Sequence, residues 1–350
     1  MATVMTAPAH GWLRNSSFDL SFIVGIALLA IATGLIVARI PDLFLPVLAA
    51  DLWLLGYHHV VSTFTRLAFD KTSFQENRNL VLYLPIAVAA AVTLGVLYAG
   101  LWLIPTIYLH WQWWHYTRQS EGISKAYAAK SKDRDVGDLR VNRIALYLVP
   151  LAGMFAISNR SPAEFLFVPV KTIPVGDVAA LVVYVAAILA VAAWIWQQVK
   201  AYRAGRMALP YVLYMVSHFS IYFFAYIYIR EINYGWLVIN IWHNAQYILF
   251  VWLYNNRRFA GQVDSAHKFL STISQNSRFA IYFMTCFTIS TVAYFLMSTF
   301  LSDVVSDALK ITAVMSGLII YQTLNFHHYI VDSLIWKLRK KPIRNTLGID

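Results

Sequence analysis

Ten histidines occur in this chain of 350 residues, and most of them sit where an imidazole is expensive. His10 and His267 belong to terminal or loop segments. His58, His59, His110, His115, His218, His243, His327 and His328 all fall inside long apolar runs. An ionisable side chain in such a run is costly in lipid, so it faces a protein interior and is a functional candidate by default. Counted from the cytoplasmic end of each run at about 1.5 Å per residue, His58, His59, His110, His218, His327 and His328 lie about 12–15 Å deep, His243 about 17 Å and His115 about 5 Å. Helices that alternate in direction therefore present imidazoles near one level. A metal or cofactor held between helices needs that arrangement, because bundles build such sites from inward side chains on facing helices.

Imidazole suits zinc, copper, iron and nickel, and all eight intramembrane histidines are candidate metal ligands. Asp332 follows His328 by four residues on the same helical face, as a ligand or as an acceptor that orients a ring. Asn240, His243, Asn244 and Tyr247 form a polar stripe at helical spacing, and Asp332 and Tyr247 are the candidate catalytic side chains. Asp51 precedes His58 by seven, on one face but about two turns further out. The single Cys286 excludes an internal disulfide and a cysteine-built zinc or iron–sulfur site. A structural zinc would more often use thiolates, and no Met-bearing copper motif adjoins the histidines. One or two iron ions are the favoured occupants, with zinc, copper or haem as alternatives. Two other readings stay open: a proton-coupled transporter using the histidines as a relay, and a haem-binding membrane protein. Trp111, Trp113, Trp114 and Tyr116 read as an aromatic belt or packing surface more readily than as a substrate-stacking wall.

The elements that carry these residues follow from composition. The chain is 59% hydrophobic and 13% charged, with a mean hydropathy of +0.57. A soluble domain has about 25% charged residues, so the chain belongs to the all-α polytopic membrane class. Ten runs are long enough to cross a bilayer: about 19–39, 43–67, 80–99, 101–118, 143–158, 176–199, 210–229, 234–254, 279–301 and 308–337. The first exceeds the apolar core of a signal peptide and reads as a retained helix. With the N-terminus in the cytoplasm, Arg39, Arg160, Lys171, Arg230 and Lys310 fall outside, and the remaining 23 of the 28 Lys and Arg residues fall inside. That asymmetry is the positive-inside pattern, and it places both termini in the cytoplasm, as in a bacterial inner membrane. The net charge of +11 is accordingly read as topology and not as nucleic-acid binding. Residues 1–350 form one membrane domain without an internal repeat, and 119–142 is a cytoplasmic loop beside anionic headgroups.

Two short segments resemble the Brp/Blh family of membrane carotenoid dioxygenases. That family carries G-x-x-H-x3-D early and H-x4-D in a late helix, with isolated membrane histidines between. Here Gly56-Tyr57-His58-His59 stands early, with Thr63 where the family has Asp, and His327-x4-Asp332 stands late. The resemblance implies a ferrous centre of four histidines that cleaves a polyene with O₂, held by His59 and His327, with His110 and His243 between them. The three-box pattern of membrane desaturases and hydroxylases is met only by His110-x4-His115. Together these readings predict an O₂-dependent oxidoreductase acting on a hydrophobic, membrane-soluble lipid or isoprenoid substrate. No flavin, nicotinamide or iron–sulfur motif is visible, so any reductant is expected to be another protein.

Overall fold

A bilayer core of about 30 Å demands roughly 20 helical residues, and each of the ten apolar runs is helical in a computed structural model that describes residues 11–260 and 262–349. His10 lies outside the described residues. The helices are α1 (Ser16–Arg39), α2 (Pro41–Leu67), α3 (Arg78–Ala99), α4 (Leu103–Lys130), α5 (Leu139–Arg160), α6 (Asp177–Arg203), α7 (Leu209–Tyr228), α8 (Ile232–Arg258), α9 (Asn276–Leu309) and α10 (Ala313–Ile335). Among the described residues, the only strands form a small hairpin between α5 and α6, Glu164–Phe165 against Val168–Pro169. The fold is an all-α membrane bundle.

Among the described residues, seven helices are long and apolar enough to cross a membrane: α1 to α3, α5 to α7, and α9. They turn residues such as Leu29, Ile86, Val182, Ile188 and Phe295 outward, as a lipid-facing wall requires. The other three, α4, α8 and α10, run 28, 27 and 23 residues but carry more polar side chains. Polar groups inside a membrane must find partners in protein, and these helices are correspondingly enclosed. α8 is buried along almost its whole length, Trp236, Trp242 and Trp252 included. It packs against α1, α2 and α7, while α10 packs against α2, α3 and α4. Close approach is achieved with glycine. A Cβ at Gly235 of α8 would collide with the Ala225 carbonyl oxygen of α7, and one at Gly34 of α1 would strike Val238 of α8. Small residues at such crossings let helix backbones come together.

Two features depart from the sequence reading. The expected loop 119–142 begins as helix, because α4 continues to Lys130 before a short connection to α5. Glu121 supports that extension by pairing with Arg118 and with Lys125 one turn on, at 2.5 and 2.7 Å. Ile123, Ala126 and Tyr127 give it a buried face. The second departure is a wide π-turn in α2 over Leu52–Gly56. Such a turn inserts one residue into the helical repeat. The face begun by Asp51 is therefore continued eight residues on, by His59, and not seven on, by His58.

Candidate metal centre

Four helices each bring one histidine to a common point. His59 of α2, His115 of α4, His243 of α8 and His328 of α10 are all buried, and each offers a nitrogen within 4.8 Å of those of the other three. Ring centroids lie 4.2 Å apart for His59 and His328, 4.9 Å for His59 and His243, 5.0 Å for His115 and His243, and 5.1 Å for His115 and His328. Aromatic rings close the sides. Tyr329 stacks on His115 at 4.0 Å, Tyr116 lies 4.0 Å from His243, and Tyr247 meets His59 edge-on at 4.6 Å.

The unpaired nitrogens test whether a metal fits. Nε2 of His59, His115, His243 and His328 all lack a hydrogen-bond partner, as does Nδ1 of His243. A buried polar atom left unpaired costs about 1–3 kcal/mol, and here several face one another. A single cation would accept all four lone pairs at once. Two opposite metal–nitrogen bonds of about 2.1 Å span roughly 4.2 Å, so donors already gathered this tightly need only a small inward shift. The residues present fit a metal ion.

A hydrogen-bonded chain fixes one of these rings from behind. His328 Nδ1 lies 2.9 Å from Thr63 Oγ1, which lies 2.8 Å from the Tyr247 hydroxyl. Tyr247 donates to Asp332 Oδ1 at 2.7 Å and accepts from Trp336 Nε1 at 3.0 Å. One orientation satisfies every member: His328 Nδ1–H donates to Thr63, Thr63 to Tyr247, and Tyr247 to the carboxylate. That order leaves the Nε2 lone pair of His328 free for a metal, the usual effect of a backing hydrogen bond on a ligand histidine. Asp332 Oδ2 is 3.4 Å from this same Nε2, without a hydrogen bond between them. On the opposite side, Tyr116 donates to Asn240 Oδ1 at 3.0 Å, and Asn240 Nδ2 donates to Asp51 Oδ2 at 2.6 Å. The polar stripe of α8 thus faces the centre along its length.

The other four histidines are not brought to this point. Neighbouring helix positions diverge by about 100°, so only one of His58 and His59, and one of His327 and His328, can face it. His58 lies edge-on to Phe283 at 5.7 Å. His327 donates from Nε2 to the Leu80 carbonyl at 2.7 Å and stacks on Phe64. His110 donates from Nδ1 to the Thr106 carbonyl one turn back at 2.8 Å, and the five-residue step from His115 puts it on another face. His218 donates from Nε2 to the Leu146 carbonyl of α5 at 2.9 Å. Of the four histidines carried over by resemblance, His59 and His243 belong to the cluster, whereas His110 and His327 lie outside it and His115 and His328 complete it. His115, expected to be shallower than the rest, lies at the same point as the other three rings, on an α4 that continues past Arg118.

A cavity of about 840 Å³ opens beside the cluster and reaches His115, Tyr247 and Asp332. Its walls include Trp111, Trp114, Phe250, Tyr329, Ile330 and Trp336, so Trp111 and Trp114 line a chamber as well as packing between helices. Tyr329 and Trp336 escaped the sequence reading, and Thr63 and Tyr116 were named there without a role at the centre, since a lone hydroxyl or ring in an apolar run has no periodic signature. The chain matches no protein-family model, no curated protein and no solved structure.

Proposed function

We propose that this protein is an integral-membrane oxidoreductase that uses histidine-held non-haem iron and O₂ to oxidise a hydrophobic lipid or isoprenoid substrate. The observation that carries the reading is the convergence of four buried, unpaired imidazoles at the end of an aromatic-walled cavity. Rings crowded at centroid distances of 4.2 to 5.1 Å leave no plane for a macrocycle, which favours a bare ion over haem. Among the described residues the four form one ligand group, which favours one ion over two. An all-imidazole donor set leaves the ion's charge uncompensated and keeps it reducible, with room for exogenous ligands.

Iron bound there would supply redox chemistry and O₂ activation. The chain's own contribution is positioning, dryness and proton handling. His59, His115, His243 and His328 would hold the ion. Trp111, Trp114, Phe250 and Trp336 would seat an apolar substrate and exclude water, which protects reactive oxygen species from side reactions. Asp332 and Tyr247 border both the cavity and the hydrogen-bonded chain, so they are placed to hold or pass a proton between the substrate chamber and His328 Nδ1. Reducing equivalents, where needed, would come from another protein. The Lys and Arg asymmetry favours cytoplasmic termini, as in a bacterial inner membrane.

Elemental analysis of the purified protein after reconstitution with ferrous iron tests this reading. Close to one equivalent of iron is expected, lost on changing His59, His115, His243 or His328 singly to Ala and kept on changing His58, His110, His218 or His327. Full metal occupancy in all four cluster variants would overturn the site. A wild-type protein that takes up no transition metal would overturn the function.

A further inference from the structure

The cavity is not uniformly apolar, and its mouth points to a class of substrate. Arg118 and Lys125 of α4 line one side, and Lys337 and Arg339, just beyond α10, line the other. Glu121, the carboxylate at this mouth, is shared three ways: Arg118 at 2.5 Å, Lys125 at 2.7 Å and, from α5, Arg143 at 3.1 Å. Its fourth contact is the Tyr147 hydroxyl, which donates at 2.6 Å. One negative charge thus orders three cations and neutralises only one. Lys337 and Arg339 have no ion pair among the described residues. Against the two carboxylates of the lining, Glu121 and Asp332, stand Arg118, Lys125, Lys337 and Arg339, so the cavity carries surplus positive charge beside its aromatic walls.

We propose that the site takes an amphiphile with an anionic head, a carboxylate or phosphate on an apolar chain, with the head held by Arg118, Lys337 and Arg339 and the chain between Trp111, Trp114 and Trp336. This rests on the oxidoreductase reading for what happens next, but not for binding. A volume of about 840 Å³ matches a ligand of that size. Registry follows from helix rise. Arg118 is three residues from His115, about 4.5 Å along α4, and Lys337 is five residues from Asp332. The carbons presented to the cluster are consequently those close to the head group, and the far end of the chain lies away from it.

Equilibrium binding of labelled oleate, oleyl phosphate and oleyl alcohol to the full-length, iron-loaded protein in nonionic detergent tests this, with iron content measured on the same samples. The two anions should bind at least about ten-fold more tightly than the alcohol, the scale of one or two charge-assisted contacts. Their advantage should shrink with added salt and should be largely lost in the double variant K337Q/R339Q, while iron content stays unchanged. Acetate and inorganic phosphate should not displace oleate. Equal affinity for the alcohol, displacement by the small anions, or an undiminished preference in the double variant would overturn the proposal. Iron bound without an anion preference sinks this inference alone. An anion preference in a protein that binds no metal sinks the oxidoreductase reading and leaves this one standing.

Discussion

Thr63 Oγ1 lies 2.9 Å from His328 Nδ1 and 2.8 Å from the Tyr247 hydroxyl, so a small side chain on α2 ties a ring on α10 to a phenol on α8. Replacing Thr63 with Val keeps the shape and removes the hydroxyl. Loss of a hydrogen bond behind a metal ligand ordinarily lowers metal affinity about 10–100-fold. T63V should show a loss of that order in competitive chelator titration, and T63S should recover most of it. Equal affinities for all three proteins would deny Thr63 its orienting role.

Tyr247 is the junction of the chain, accepting from Trp336 and donating to Asp332. Y247F leaves Asp332, Thr63 and the Trp336 indole each short of a partner in a buried setting. About 1–3 kcal/mol of stability should be lost, read as a lower thermal midpoint of the detergent-solubilised protein both with and without metal. A loss seen only in the metal-loaded form would show that Tyr247 acts through the metal site and not through packing.

Gly235 and Gly317 make opposite predictions for one substitution. Alanine at Gly235 would drive its Cβ into the Ala225 carbonyl of α7, whereas a Cβ at Gly317 meets no atom within 4 Å. G235A should destabilise the bundle by about 1–3 kcal/mol, the ordinary cost of overpacking, and G317A should be neutral or slightly stabilising. Comparable thermal midpoints for the two variants would contradict the close contact of α7 and α8.

Asp70 caps the short helix Lys71–Glu76 outside the membrane. It accepts from the Ser73 backbone N–H at 2.7 Å and from Ser73 Oγ at 2.8 Å, with Arg258 3.4 Å away. Burial alone would push its carboxyl up, but the bonds from Ser73 and the nearby cations Arg258 and His267 outweigh burial and hold it below the usual value of 3.8. A depressed carboxyl contributes stability that is complete above 3.8 and is lost as pH falls through the folded value. Protection of the Ser73 amide in hydrogen exchange should therefore drop only on strong acidification. D70A should lower it at neutral pH by about 1 kcal/mol, the worth of a helix cap. Unchanged protection in D70A would remove the cap from this account.

Most of the architecture was legible because a bilayer imposes a length on every crossing. Each of the ten apolar runs corresponds to one helix, but the ends differ: α4 reaches past Arg118 to Lys130, and α9 runs on past residue 301 to Leu309 before α10 begins at Ala313. The site was legible only to the level of depth. Depth selects His59, His243 and His328, but it also admits His58, His110, His218 and His327, which lie as deep and point elsewhere. Rotation is what separates them, and rotation depends on local winding. The wide turn at Leu52–Gly56 has no residue signature, yet it decides that His59 and not His58 continues the face of Asp51. His115 was underrated for a related reason: the basic residue that marks a membrane boundary by composition does not mark the end of a helix whose next turn is held by Glu121.

The three helices α4, α8 and α10 that are least at home in hydrocarbon are also the ones that supply His115, His243 and His328. During synthesis each must enter the bilayer with polar side chains whose partners have yet to be made. Only when α10 is made does His328 join the other three rings and Asp332 meet Tyr247. Capture of an ion by all four rings would thereby be tied to completion of the chain, since a product that stops before residue 313 lacks both His328 and Asp332.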